Sequence, residues 1–287
     1  MSIRISYSAA SAFERCPLSY RYQYVERIDI EPTPALSFGR SIHSALEWLY
    51  DREVPRPPSL QELLEYLESC WDCQGYGDAE EEESYLEHGR EILTRFYESN
   101  IDDFRLPVAV EHRFELDMDG YLLTGVIDRV DRNADGGYEI IDYKTNRRLP
   151  DLNRLREDLQ LPIYQMACLE TWGVNPGKLT YYYLLPNQRY ATRAYDSNGL
   201  ARVRKRLDSV IEAIEKGEFE SRPNRLCPWC SYRDICPDRA EGNSEREKLR
   251  RRHSSLLKRR DGLERVIREL EEEMRDRGIS DNGSSDT

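Results

Sequence analysis

Residues 120–132, GYLLTGVIDRVDR, and residues 138–145, YEIIDYKT, decide how the chain is read. Each is rich in β-branched and aromatic residues, and Asp135-Gly136-Gly137 lies between them as a turn. Upstream, residues 108–117, VAVEHRFELD, alternate apolar and polar as a half-buried strand does. Asp119-Gly120 joins that stretch to the next as a tight hairpin. Three successive antiparallel strands follow from this. Positions i and i+2 of a strand share a face, so Asp142 and Lys144 point the same way, on the strand next to Asp128. Charges emerging from apolar strands cost free energy unless they are paired or used. Two neighbouring carboxylates repel, and a divalent cation relieves that repulsion. An adjacent Lys could then hold a water or offset charge on a phosphate. A plain Lys–Asp ion pair on an edge strand is the simpler reading of Asp-x-Lys taken alone.

Further along the chain, the spacing predicts a helix over 153–172, then strands KLTYYYLL and RYATRAY joined by Pro186-Asn187, then a helix over 198–216. Before the strands, helices are expected over the first 25 residues, 38–52, 59–73 and 81–99. Glu80 to Glu83 sit at the start of the last of these, where the helix dipole favours acids. This order gives an α/β fold with a mixed central sheet of about five strands and helices on both faces. From Ser244 to about Arg277 the chain is nearly all helix formers. Leu249, Leu256, Leu263 and Leu270 recur every seven residues, but only the second half of that seam is apolar. The last ten residues, GISDNGSSDT, read as disordered.

The chain has 287 residues, 42 Lys+Arg and 54 Asp+Glu, for a net charge of −12. On bulk charge alone that argues against a nucleic-acid binder. The charge is uneven, however. Residues 245–260 hold eight Lys/Arg and two Glu, a local +6, which leaves −18 for the remainder. The Arg-rich helix could face DNA phosphates or simply be solvated. Only six of the 42 basic residues are Lys, which makes Lys144 conspicuous. No apolar run of ~18 residues and no apolar signal region is present, so neither a membrane span nor a secretory signal is expected. A reducing, cytoplasmic compartment is therefore expected, and the seven cysteines read as metal ligands or buried thiols rather than a disulfide framework. Cys70 and Cys73 form a C-x2-C pair with no second pair nearby and read as packing or surface thiols. Cys168 reads as core, and His88 and His112 as structural. Glu111 and Glu115 lie on the strand before Asp128 and are left outside the candidate site.

Five elements occur together in order: FGRSIHSALE with His43, GVIDRVD with Asp128, IIDYKT with Asp142 and Lys144, QLPIY with Gln160 and Tyr164, and CPWCSYRDICP with Cys227, Cys230 and Cys236, far downstream of Cys16-Pro17. In this the chain resembles the PD-(D/E)xK nuclease superfamily, and within it the RecB-type and CRISPR-adaptation branch. The resemblance covers about residues 5–240. It implies a restriction-endonuclease-like core at about 105–220 with a helical insertion at about 38–100, in a domain of residues 1–240. A charged helix, 241–277, and a tail, 278–287, would follow.

The resemblance also implies that His43, Asp128, Asp142 and the backbone carbonyl of Tyr143 hold Mg²⁺ or Mn²⁺. Lys144 would be the catalytic lysine, with Gln160 and Tyr164 facing the site or the DNA strand. Cys16, Cys227, Cys230 and Cys236 would hold a [4Fe–4S] cluster. Four thiolates suit that cluster or a structural zinc, and their spacing does not separate the two. The activity implied is a metal-dependent DNA nuclease, an exonuclease on single strands or ends. The alternative is a non-cutting DNA-binding or assembly subunit of a helicase–nuclease or CRISPR-adaptation complex. A helicase or CRISPR-adaptation partner fits either case, no membrane partner is expected, and the C-terminal helix leaves a homo-oligomer open.

Overall fold

The computed structural model describes residues 3–51, 56–133, 136–146, 149, 151–239 and scattered positions between 253 and 277. Asp135 of the expected turn, most of the expected 241–277 helix and the 278–287 tail lie outside these residues. The described positions from 253 to 275 are helical. The chain divides into two compact units: residues 1–11 with 31–218, and residues 12–30 with 219–287. The 1–240 domain expected from the sequence takes in the whole first unit and the described stretch 12–30 and 219–239 of the second.

The first unit is built on a mixed six-stranded sheet: β1 (Ile3–Ser6), β2 (Ala109–Asp117), β3 (Tyr121–Arg132), β4 (Tyr138–Lys144), β5 (Lys178–Tyr183) and β6 (Gln188–Arg193). The order is β1-β3-β4-β5-β6, with β2 also paired to β3. The strand expectations hold within a residue or two at most ends. The sixth strand is β1, in a stretch expected to be helical. Its Ile3 and Ile5 alternate with Arg4 and Ser6, and Ile5 is buried where β1 runs parallel to the start of β3. β2 and β3 meet in a two-residue hairpin whose Asp119 and Gly120 both have positive φ.

Helix α1 (Tyr7–Arg15) runs across the division between the units, and the short α2 (Pro17–Tyr20) follows in the second. In the first unit α3 (Pro34–Tyr50), α4 (Leu60–Ser69) and α5 (Ala79–Asn100) cover one sheet face. Thr33, Ser59 and Asp78 cap them by accepting backbone N–H bonds. Ile42, Leu46, Leu49, Leu63, Leu67, Ile92 and Leu93 form their core, and Tyr143 and Tyr182 reach into it from the sheet to meet Phe96 at 5.8 and 5.4 Å. Each such buried side chain contributes about 1.5–3 kcal/mol.

The predicted 153–172 helix is instead two: α6 (Leu152–Glu157) and α7 (Gln160–Trp172). Pro162 explains the break. It lacks the N–H that would bond to the carbonyl four residues back, at Asp158, and its ring crowds that carbonyl. α7 is buried along most of its length, packs against β2, β4 and β5, and precedes α8 (Ser197–Glu215). The α6–α7 crossover makes β4 and β5 parallel.

Candidate metal centre and its surroundings

The two hairpins set the site by their registers. β2 and β3 pair from Ala109↔Val130 to Asp117↔Leu122, which brings Glu111 to face Asp128. β3 and β4 pair from Arg132↔Tyr138 to Arg129↔Ile141, and one further step along that register sets Asp128 beside Asp142. Three carboxylates therefore stand in a row across three strands, a destabilising arrangement for uncompensated like charges. Glu111 has φ 43°, and the ladder skips it between Val110↔Arg129 and His112↔Ile127. A non-glycine residue in that region within a strand is strained, which is common at functional sites.

His43, on α3, closes the group. Its Nδ1 is 3.4 Å from Asp128 Oδ2 and 3.8 Å from Glu111 Oε1. One ligand atom from each of His43, Glu111 and Asp128 falls within 4.8 Å of the others. Asp128 Oδ2 also accepts the backbone N–H of Tyr143 at 2.8 Å. Asp142 is 1 % exposed, and Lys144 Nζ lies 2.7 Å from its Oδ2. That contact is an ion pair without hydrogen-bond geometry, and Oδ2 has no hydrogen-bond partner. Asp142 is thus a buried carboxylate whose charge is offset by the Lys144 ammonium. The donor set, three carboxylates and one imidazole, suits Mn²⁺ or Mg²⁺.

The electrostatics agree with this reading. Burial, then the charge of Asp142, pushes the pKa of Asp128 up to about 7, against the pull of His43. Burial likewise raises Asp142, and Lys144 opposes that rise. Burial disfavours the His43 imidazolium, but Asp128, then Glu111 and Asp142, bring its pKa up to about 9. Burial works against the Lys144 ammonium too, yet Asp142 holds it above its ordinary value.

Lys144 is positioned from its other side. Its Nζ donates to Gln160 Oε1 at 2.6 Å, and Gln160 Nε2 donates to Tyr164 Oη at 2.9 Å. Gln160 and Tyr164 thus face the site together from the first turns of α7. Asp158, in the break before α7, accepts from the Tyr7 and Tyr181 hydroxyls, each at 2.7 Å, and from the Gln160 N–H at 2.8 Å. On the opposite sheet face, Arg129 bonds both oxygens of Asp131, at 2.6 and 2.7 Å. It also reaches Tyr143 Oη at 3.3 Å and lies 3.8 Å over the Tyr50 ring. That cluster anchors the strand residues next to Asp128 and Asp142.

Among the sequence candidates, the structure brings His43, Asp128, Asp142, Tyr143, Lys144, Gln160 and Tyr164 into one neighbourhood. Glu111, which lies outside the sequence candidates, joins them. Asp158, also outside them, supports Gln160. Glu115 pairs with Arg4 instead.

Cys16, Cys227, Cys230 and Cys236 all belong to the second unit and form no disulfide. Cys16 Sγ accepts from the Arg222 N–H at 3.5 Å and Cys227 Sγ from the Asn224 N–H at 3.2 Å. Asn224 also donates to the Arg15 carbonyl at 3.1 Å, which ties the Cys16 segment to the Cys227 turn. In the same unit, Phe13, Tyr20 and Phe219 cluster with ring centroids 5.4–6.4 Å apart. Thiols are the donor type that an iron–sulfur cluster takes, and the sulfurs of Cys16 and Cys227 accept backbone N–H bonds as cluster ligands do. Cys70 and Cys168 behave as packing residues. Their thiols contact backbone carbonyls, and burial pushes each up to about 11. His112 packs at a tilt against Trp172 with centroids 4.6 Å apart, and His88 stacks on Phe38 at 5.8 Å.

Residues 4–237 match the sequence profile of the PD-(D/E)XK nuclease superfamily. The Gene 69 protein of Mycobacterium phage D29 is 24% identical over 268 residues, 81% of this chain and 96% of that protein. One component of the ATP-dependent helicase/deoxyribonuclease of Streptococcus uberis is 28% identical over 178 residues, 58% of this chain but 16% of that component. A solved structure from Eubacterium rectale assigned as an exonuclease has the same fold, with a TM-score of 0.51, 13% identity and coverage of 80% of this chain and 87% of that one. No helix among the described residues is long and apolar enough to cross a membrane. With residues 4–237 matched, the profile covers most of the chain: the chain belongs to the PD-(D/E)XK nuclease superfamily.

Proposed function

We propose that the protein is a metal-dependent DNA nuclease, acting as an exonuclease on single strands or ends. The observation that carries this is the group of ligand atoms from His43, Glu111 and Asp128 within 4.8 Å of one another, beside the buried Asp142 and the Lys144 ammonium paired with it. His43, Asp128, Asp142, the Tyr143 carbonyl and Glu111 are the groups to hold Mg²⁺ or Mn²⁺. Such an ion supplies Lewis-acid polarisation of a phosphate oxygen and a lowered pKa for water. Lys144, kept charged by Asp142 and aimed by Gln160, orients the attacking water or offsets charge on phosphorus. Gln160 and Tyr164 hold that ammonium at a fixed place, which is where preorganised charge acts most strongly. Water attacks phosphorus and the P–O3′ bond breaks. One water proton leaves to solvent, O3′ takes up a proton, and a 5′-phosphate remains.

Cys16, Cys227, Cys230 and Cys236 are proposed to hold a [4Fe–4S] cluster in a nuclease domain of residues 1–240. The N–H bonds to Cys16 and Cys227 support this. Anaerobically purified protein is then brown, with broad absorbance near ~400 nm. Colourless protein carrying zinc would rule the cluster out. The match to the helicase/deoxyribonuclease component supports a helicase partner.

End-labelled linear and circular DNA, incubated with Mn²⁺, test the activity. The wild type shortens linear strands from their ends and leaves circles intact, while Lys144→Ala leaves both uncut. Equal cutting by wild type and Lys144→Ala refutes the assignment, and cutting of circles refutes the exonuclease reading. If neither protein cuts, the chain is a non-cutting subunit in isolation.

A further inference from the structure

We propose that Trp229 is a stacking platform for a base of single-stranded DNA, an inference that rests on the nuclease reading above. Trp229 lies between two of the cysteines and is 79% exposed, more than any other large apolar side chain among the described residues. An indole left in water forgoes a large hydrophobic gain, which a stacked ligand would recover. Its mounting is stiff. The turn Cys227–Trp229 is closed by the Trp229 N–H bonded to the Leu226 carbonyl at 2.9 Å and the Cys230 N–H bonded to the Cys227 carbonyl at 3.3 Å. Asn224 Oδ1 accepts the Leu226 N–H at 2.9 Å, and its amide is tied to the Arg15 carbonyl. Pro228 fixes the backbone directly before the ring. An aromatic side chain on such a turn loses little conformational freedom when a ligand covers it.

The surroundings favour a nucleic acid over a protein. Arg222, Arg225 and Arg233 are all exposed. Residues 221–239 contain four Arg against two Asp, a local +2 within a chain of −12. Apart from Leu226, at 47%, no other large exposed apolar side chain lies in this stretch. An exposed ring in an arginine-bearing stretch matches a base face with flanking phosphates. Bases inside a duplex offer no open face, so the contact selects single strands and frayed ends.

The test measures binding of the full-length protein to fluorescent oligo-dT and to a blunt duplex, in EDTA so that nothing is cut. Trp229→Ala is expected to weaken oligo-dT binding about 5- to 150-fold, as loss of one stacked base does. Duplex binding should stay within twofold, and Trp229→Phe should recover most of the oligo-dT affinity. Circular dichroism confirms that each variant is folded. Oligo-dT binding by Trp229→Ala within twofold of wild type overturns the proposal, as does an equal loss for duplex. So does an effect confined to self-association in sedimentation, which marks a protein contact. If stacking fails while wild type still cuts and Lys144→Ala does not, the nuclease reading survives alone. If wild type neither binds nor cuts any DNA, both fall.

Discussion

Gly125, the first residue of GVID, shows why one position admits one residue. Phe114 pairs with it across β2 and β3, and a Cβ built on Gly125 would lie 2.5 Å from the Phe114 ring. That ring in turn sits edge-on to Tyr164, 6.1 Å away. Gly125→Ala should therefore cost about 1–3 kcal/mol, as overpacking does. Adding Phe114→Leu should return part of it, and urea midpoints measure both. A neutral Gly125→Ala would contradict the packing. Glu111 has the opposite character, since its backbone is strained and its charge opposes Asp128. Glu111→Gly should raise the stability of the metal-free protein by about 1 kcal/mol by relieving the positive φ. Glu111→Gln should weaken Mn²⁺ binding tenfold or more, on the order of what outer-shell changes already do. Calorimetric titration checks the affinity, and unchanged Mn²⁺ binding would remove Glu111 from the ligand set. This residue was legible in the sequence. Asp119-Gly120 was readable as a hairpin, and eight residues back from Asp119 lies Glu111, eight on from Gly120 lies Asp128. Strand-face acids are usually solvated, and that general rule outweighed the register.

At the scale of elements, the strands and the α3–α5 helices follow from period and caps, because a half-buried strand or an amphipathic helix writes its buried face into the sequence. Two elements did not follow. β1 is only four residues long, too short for alternation to compete with the helical spacing that begins at Ala9. The α6–α7 break was signalled by Pro162, but its meaning depends on Asp158 finding partners in Tyr7 and Tyr181, which are distant in sequence. Those partners let Asp158 serve the crossover and fix the entry of Gln160 at once. Asp158→Ala should destabilise the fold by about 2–4 kcal/mol, because it leaves two phenol hydroxyls without their acceptor. Tyr7→Phe and Tyr181→Phe should each cost about 1 kcal/mol. Guanidinium unfolding of the three variants compares them. Equal costs for Asp158→Ala and Tyr7→Phe would mean that the carboxylate is not the hub. The same Asp158→Ala protein should also lose nuclease rate, since Gln160 loses its backbone anchor and Lys144 its fixed partner.

For the whole molecule, the acid excess at the sheet centre couples folding to pH and to metal. Asp128 ordinarily ionises near 3.8 and is raised to about 7, and burial raises Asp142 as well. A carboxylate whose folded pKa lies above its unfolded one contributes stability that is fully present below the unfolded value. That contribution is lost as pH rises through the folded value. His43 moves the same way: raised from 6.5 to about 9, its contribution is complete below 6.5 and lost as pH passes 9. All three groups thus make the metal-free fold less stable across roughly pH 4 to 9. A divalent ion needs those groups deprotonated, so its binding strengthens over the same window. Differential scanning calorimetry in EDTA should show Tm falling from pH 5 to pH 8.5. Excess Mn²⁺ should raise Tm by more at pH 8 than at pH 6, with a stabilisation of about 2.7 kcal/mol once the ion stands at a hundred times its Kd. Asp128→Asn should flatten the EDTA profile and abolish most of the Mn²⁺ shift. A Tm in EDTA that rises with pH, or a Mn²⁺ shift equal at both values, would show that the buried acid row is not what the metal neutralises.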